Sequence, residues 1–369
     1  MAMLPLPRLL LFFFASALLC LPSLGPLSAQ STPYPREHWE EASPEAMGLE
    51  RDALDKLAAY MEGDGCVIRH GRMVYRWGDP TRRGDVASAC KPWISFFLFL
   101  ALEEGLLEGL DMPAHHYKPC LAEINAELGY KDRGILMRHF ATQTSCYGVR
   151  ETPGTAFDYN DWQTALFVEI LFQQIYKVPP DGYDGHILLP RLTEKLQCED
   201  SPTFYAFGPQ DRPGRLAVSP RDFCRFGYLF LQRGHWHSGR ILAGEHIRKL
   251  TTQPLPAALP RTRAQEAALC EGARSHGSQR IPDDQCDHGG SYSWMWWVNG
   301  VDREGRRYWC DAPDDTFAAL GHKNGMRGMA VIPSLDIVFS WNNTRLGTLP
   351  ESSDVLNDAF RYLCSAVKN

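Results

Sequence analysis

A dense apolar stretch lies at residues 93–102, where nearly every side chain is hydrophobic. A helix that is apolar on all sides belongs in an interior, so this run predicts a buried helix beginning near Ser88. Residues 49–61 carry Leu49, Leu54, Leu57, Ala58 and Met61 at helical spacing. A short helix is expected over 134–142. A stronger one is expected over 161–176, with Trp162, Ala165, Leu166, Ile170 and Phe172 on or near one face and Asp161 in a capping position. Ser219 and Pro220 open a further helix that runs to Gly234, and 354–367 closes the chain as a helix. Residues 66–77 read as a hairpin turning at His70-Gly71. Strands are expected at 291–299, 306–310, 316–320, 328–332 and 336–341, joined by short spacers as in an antiparallel meander.

Residues 31–44 read as an exposed lead-in, and residues 251–290 as a long surface loop, a candidate for closure by Cys270 and Cys286. Strand patterns thus fall at about 45–85 and 290–369, with a mostly helical region at about 86–250. The simplest architecture is α/β of the α+β kind. A central antiparallel sheet is flanked by helices and interrupted by an inserted helical region.

Composition adds a compartment. Arg8 precedes the apolar run 9–21, and small residues follow, which predicts a signal peptide over 1–29 cut after Ala29 and a single domain over 30–369. A secreted or periplasmic protein is expected, with no stable membrane insertion once the signal is removed. Ten of the eleven cysteines then fall in the mature chain, a set that suggests several disulfides. No C-x-x-C occurs, and neither His115-His116 nor His235/His237 has a third ligand in view, so no metal site is expected. The net charge of −6 and the lack of a basic stripe give no sign of a nucleic-acid partner.

The candidate chemistry sits at the head of the apolar run. Ser88-Ala89-Cys90-Lys91 places an amine one turn beyond a hydroxyl, on the same face of a helix. A buried lysine loses hydration and is expected to be neutral, and therefore able to take the serine proton. The helix N-terminus favours developing negative charge. Ser365 and Lys368 repeat the spacing at the extreme C-terminus, where a helix end frays.

Ser88-Ala89-Cys90-Lys91-Pro92 resembles the S-x-x-K-P motif of the serine β-lactamase and penicillin-binding-protein superfamily. Four further stretches are similar to that superfamily in the same order: 138–145, Pro153-Gly154 through Tyr159-Asn160-Asp161, 214–234, and Gly321-His322 through Pro333. The likeness is greatest to class C β-lactamases, related esterases and D-amino-acid peptidases, and covers about residues 45–365. It implies a β-lactamase-like fold and a hydrolase with Ser88 as nucleophile, Lys91 as base and Tyr159 as second proton carrier, its pKa depressed by Lys91. It also implies an oxyanion hole from backbone N–H groups of Ser88 and of the strand after His322. Asn160, Asp161, His322, Lys323, Asn324 and Gly325 would line the substrate site, and no cofactor is implied.

Two departures shape the expectation. Asp161 stands where the pattern has an amide and would repel an anionic substrate, or else it only caps its helix. His322-Lys323-Asn324-Gly325 carries one residue more than the usual third motif, which leaves open which side chain faces the site. The leading expectation is a secreted serine hydrolase of small esters, amides or peptides. The alternatives are a non-catalytic binding or scaffold protein with this fold, and a β-lactamase or D,D-peptidase.

Overall fold

A computed structural model describes Met1 and residues 34–204, 213–352 and 354–368. The expected signal peptide lies outside the described residues.

Seven strands form one antiparallel sheet in the order β2-β1-β11-β10-β9-β8-β7. They are β1 (Asp64–Arg69), β2 (Arg72–Trp77), β7 (Tyr292–Ser293), β8 (Trp296–Val298), β9 (Phe317–Gly321), β10 (Arg327–Ile332) and β11 (Ile337–Asn342). The sheet is therefore built from both ends of the sequence, joined where β1 pairs with β11, Val67 opposite Phe339. Two short pairs stand apart: β3 (Gly84–Asp85) with β4 (Ala217–Val218), and β5 (His235–Trp236) with β6 (Gly239–Arg240). His70 and Gly71 turn the first hairpin with φ of 51° and 72°, the left-handed pair that a tight two-residue turn needs.

Both faces of the sheet are covered, so its central strands alternate between two cores rather than between core and water. Cys66, Ile68, Met329, Val331 and Val338 face one cluster; Val67, Ala330, Ile332, Ile337 and Phe339 face the other. The second cluster is closed by α1 (Arg51–Met61) and α7 (Asp354–Ser365). The first and larger cluster holds α2 (Lys91–Glu103), α4 (Asp161–Val168), α5 (Pro220–Leu231) and α6 (Gly244–Thr252). Every residue of α2 from Lys91 to Ala101 is buried, as a helix apolar on all sides requires.

Several boundaries differ from the sequence reading. The helix expected over 134–142 shrinks to α3 (Met137–Ala141). The helix from Asp161 is α-helical only to Val168 and continues as a wider π-helical turn over Glu169–Ile175. Residues 306–310 form no strand; Arg307 makes a single bridge to Val301 within a turn. Residues 251–290 are not a free loop, because they lie along residues 148–158 through Phe157 N–H to Pro260 O (2.8 Å) and Ala267 N–H to Gly148 O (2.8 Å). Their covalent tie is also different. Cys270 is bonded to Cys120, 150 residues away, and not to Cys286. Among the described residues this is the one disulfide of the several expected.

Candidate active site

The turn that carries Ser88 hangs from the β3–β4 pair. Val86 N–H bonds Leu216 O at 3.1 Å, and Ala87 then takes the left-handed conformation, φ 50°. Such a conformation is costly for a residue with a Cβ and persists only where neighbours impose it. Here the Asp85 carboxylate accepts the Ala87 N–H at 2.9 Å. Asp85 is itself held by Arg215, with Nε and Nη2 at 2.8 and 2.6 Å, and by Arg327 at 3.3 Å. Burial alone would raise the Asp85 carboxyl, but the Arg215 guanidinium and the Ala87 N–H hold it below the usual carboxylate range. From the other side the turn rests on Gly321, the last residue of β9. A methyl group there would overlap the Val86 carbonyl oxygen and stand 3.0 Å from the Ala89 nitrogen.

A single 3-10 turn, Ala87–Cys90, leads into α2, so Ser88 and Lys91 fall on one face. Lys91 Nζ donates to Ser88 Oγ at 2.8 Å while 1% of the lysine is exposed. Tyr159 arrives from the loop before α4. Its ring lies under the Lys91 ammonium, 4.5 Å from nitrogen to centroid, which brings the phenol into the neighbourhood of Ser88. Lys91, one turn on from Ser88, and Tyr159, from a distant part of the chain, thus gather beside one hydroxyl, and Ser88 is partly exposed to solvent.

The protonation expectations need correction. Burial pushes the Tyr159 phenol up to about 12; Lys91 pulls it down, but by less. The phenol is therefore neutral at ordinary pH. Lys91 is buried as expected, yet it has an anionic partner, Asp161 Oδ1 at 3.2 Å. Burial would raise the Asp161 carboxyl, but attraction to Lys91, then to Arg215, outweighs it and holds the group well below the carboxylate range. The same attraction favours the ammonium form of Lys91. A protonated His276 would add to it, but burial and the nearby Lys91 push that imidazole down to about 3, so it is neutral.

The remaining candidates are placed as follows. Asn160, not Asp161, caps α4, accepting Gln163 N–H at 2.8 Å, and its amide donates to Asp158 at 2.7 Å and Tyr147 O at 3.3 Å. Its side chain is thus committed within the protein. His322 and Lys323 are exposed just beyond Gly321 and its contact with the Ser88 turn. His322 has φ 63°; partial burial, then repulsion from Arg327 and Arg215, lowers its imidazole. Asn324 points elsewhere, donating to Leu346 O (2.9 Å) and Leu349 O (3.1 Å). Gly325 is buried, and its carbonyl accepts the Trp341 indole N–H at 2.6 Å. The extra residue of the third motif is absorbed in a 3-10 turn, Lys323–Gly325.

Sequence reasoning passed over Asp85, Arg215 and residues 275–278, all of which contact this centre. Asp85 and Arg215 form a part-buried charge pair across 130 residues, which no local pattern signals.

No protein-family model and no curated protein matches the chain. Solved structures do. A β-lactamase from Mycobacterium bovis shares 17% identity over 85% of this chain and 97% of its own, with a TM-score of 0.55. A penicillin-binding protein from Bacillus halodurans shares 10% identity over 85% of this chain and all (100%) of its own, with a TM-score of 0.54. A class C β-lactamase from Rhodobacter sphaeroides shares 16% identity over 85% and 98%, with a TM-score of 0.51. With its central antiparallel sheet, helical insert and chain order, the protein has the fold of the serine β-lactamases and penicillin-binding proteins.

Proposed function

We propose that this chain is a serine hydrolase that works through an acyl-enzyme on Ser88 and acts on small esters, amides or peptides. The observation that carries the reading is the Lys91 Nζ to Ser88 Oγ contact of 2.8 Å, with the Tyr159 ring packed against the same amine. In its amine form Lys91 takes the Ser88 proton as Oγ adds to the substrate carbonyl. That proton passes through the Tyr159 phenol to the leaving alcohol or amine, which departs as the C–O or C–N bond breaks. Water then adds to the acyl group, gives its proton back along the same path, and releases the acid and free Ser88. Tyr159, neutral throughout the resting state, relays a proton rather than acting as a standing phenolate.

The substrate class follows from charge. Asp161 occupies both its oxygens inside the protein and adds a negative charge beside the nucleophile. Once Lys91 is in its reactive amine form that charge is no longer offset by an ammonium, so neutral or cationic substrates are favoured over carboxylates such as β-lactams in a low-dielectric site. Residues 1–29 as a secretory signal complete the reading, and the Cys120–Cys270 bond is compatible with an oxidising compartment. We place the mature hydrolase domain at residues 30–369.

Intact-mass measurement across a panel of activated esters, amides and β-lactams tests the proposal, with Ser88→Ala as control. Acyl adducts are expected with the esters, slower ones with the amides, and little with the β-lactams. A folded protein that gains no adduct from any of them favours the scaffold alternative. Accumulation with β-lactams alone favours the β-lactamase or D,D-peptidase alternative.

A further inference from the structure

Residues 275–278 come from the stretch that shows least pattern in the sequence, yet they converge on Asp161. Lys91 engages Oδ1 at 3.2 Å. Ser278 supplies the other oxygen, Oδ2, with its backbone N–H at 3.0 Å and its hydroxyl at 3.4 Å. His276 N–H bonds the Asp161 carbonyl at 2.9 Å. Gly277 passes so close that a Cβ would stand 2.5 Å from Asp161 Oδ2 and 3.0 Å from Arg215 Nη1. Its backbone dihedrals do not demand glycine; the carboxylate does.

His276 anchors this segment. Its Nδ1–H donates to Pro213 O at 2.9 Å, which leaves Nε2 to accept the Cys90 thiol proton at 3.1 Å. Its carbonyl accepts Arg215 Nη1 at 3.2 Å. One buried histidine thus ties residues 275–278 to the serine turn and to the approach to β4 through its imidazole, and to the start of α4 through its backbone N–H. Cys90, pushed up to about 12 by burial, is a packing and hydrogen-bonding group here and not a nucleophile.

We propose that residues 275–278 form a clamp for the Asp161 carboxylate. In this proposal His276, Gly277 and Ser278 are positioning residues that fix Asp161 against Lys91 and so set the pH at which Lys91 becomes an amine able to accept the Ser88 proton. The inference rests on Lys91 as the base of the proposed reaction and adds what controls it.

The groups facing the pair decide the sign. Ser88 and Tyr159 face Lys91; His276, Arg215 and Ser278 face Asp161; Cys90 lies beside both, and Cys286 lies beyond the Tyr159 ring. Tyr159, Cys90 and His276 are neutral at ordinary pH. Arg215 is balanced by Asp85, which Arg327 also contacts. Among the described residues Asp161 is therefore the carboxylate that balances Lys91. Loss of Asp161, or its displacement, removes that counter-charge and leaves the buried ammonium close to Arg215. Lys91 then gives up its proton at lower pH.

The test titrates Lys91 directly. The mature chain, labelled with 13C-lysine and carrying Ser88→Ala, is followed by NMR from pH 6 to 11, with the Lys91 signal identified by its loss in Lys91→Met. Asp161→Asn is expected to lower the midpoint by about one pH unit or more, a tenfold change in the proton equilibrium. Gly277→Ala is expected to lower it in the same direction, and His276→Gln, a gentler change, serves if Gly277→Ala does not fold. Thermal melts establish which variants are folded. A folded clamp variant whose midpoint stays with wild type overturns the clamp, and an unmoved midpoint in Asp161→Asn overturns the pairing itself. Fluorophosphonate labelling of the unmodified chain is run alongside. Its failure counts against the hydrolase reading and leaves the Lys91 titration to decide the clamp.

Discussion

Gly321 bears directly on the placement of Ser88, because the Ser88 turn packs against its bare Cα. Gly321→Ala forces the Val86 carbonyl and Ala89 N–H outward and carries Ser88 away from Lys91. A displacement of about 1 Å costs on the order of a hundredfold in rate when catalysis depends on alignment. The second-order rate of fluorophosphonate labelling should fall by about that factor, and a wild-type rate would mean the turn is not held from this side. At this scale the sequence revealed what was local. The i, i+3 spacing of Ser88 and Lys91 is enough to bring amine to hydroxyl. Asp161 lies 70 residues from Lys91, and the capping pattern around it pointed to the wrong neighbour, since Asn160 makes the cap. The charge state of Tyr159 was equally hidden. It depends on how completely the ring is buried, and burial outweighs Lys91.

At the scale of elements, periodicity was a good guide wherever one face decides the packing. α1, α5 and α7 and the first hairpin follow their apolar positions, and Ser219 caps α5 through the Asp222 N–H at 3.2 Å. Patterning failed where tertiary bonds replace it. The apolar residues of 306–310, including the buried Trp309, suit a strand, but Trp309 N–H bonds Asn299 Oδ1 at 2.8 Å and the segment folds as a turn. Residues 251–290 lack periodicity because their order comes from point attachments. Cys270 is bonded to Cys120, Asn125 takes the Ala268 N–H at 2.8 Å, and His276 is locked behind the serine turn. None of these leaves a repeat to read, and so the stretch that looked least structured supplies the contacts to Asp161.

For the whole molecule, the joining of sheet strands from both chain ends followed from the order of patterns, and the alternation between two cores explains why those strands read as continuously apolar. One buried carboxyl links the site region to global stability. Asp158, the residue before Tyr159, is fully buried and hydrogen-bonded by Asn160 and Gln285, and burial raises it to about 7. Its folded value lies above the roughly 3.9 of an unfolded aspartate. Its contribution is therefore full below about pH 4 and is lost as pH rises through 7, by at most about 4 kcal/mol at about 1.4 per unit. Denaturant unfolding from pH 4 to 8 should show that decline in wild type and a flatter profile in Asp158→Asn; identical profiles would contradict it.

The proposed chemistry depends on a Ser88 hydroxyl made reactive by the Lys91 amine beside it. Its most direct measurement is peptide-level mass spectrometry after fluorophosphonate treatment of the protein, wild type against Lys91→Met, with folding checked by melting. The account predicts the adduct on the peptide that contains Ser88, formed on the order of a hundredfold or more slowly in the variant, the range that a positioned base contributes. An unlabelled Ser88 in folded wild-type protein, or labelling that proceeds equally fast without the Lys91 amine, would contradict it.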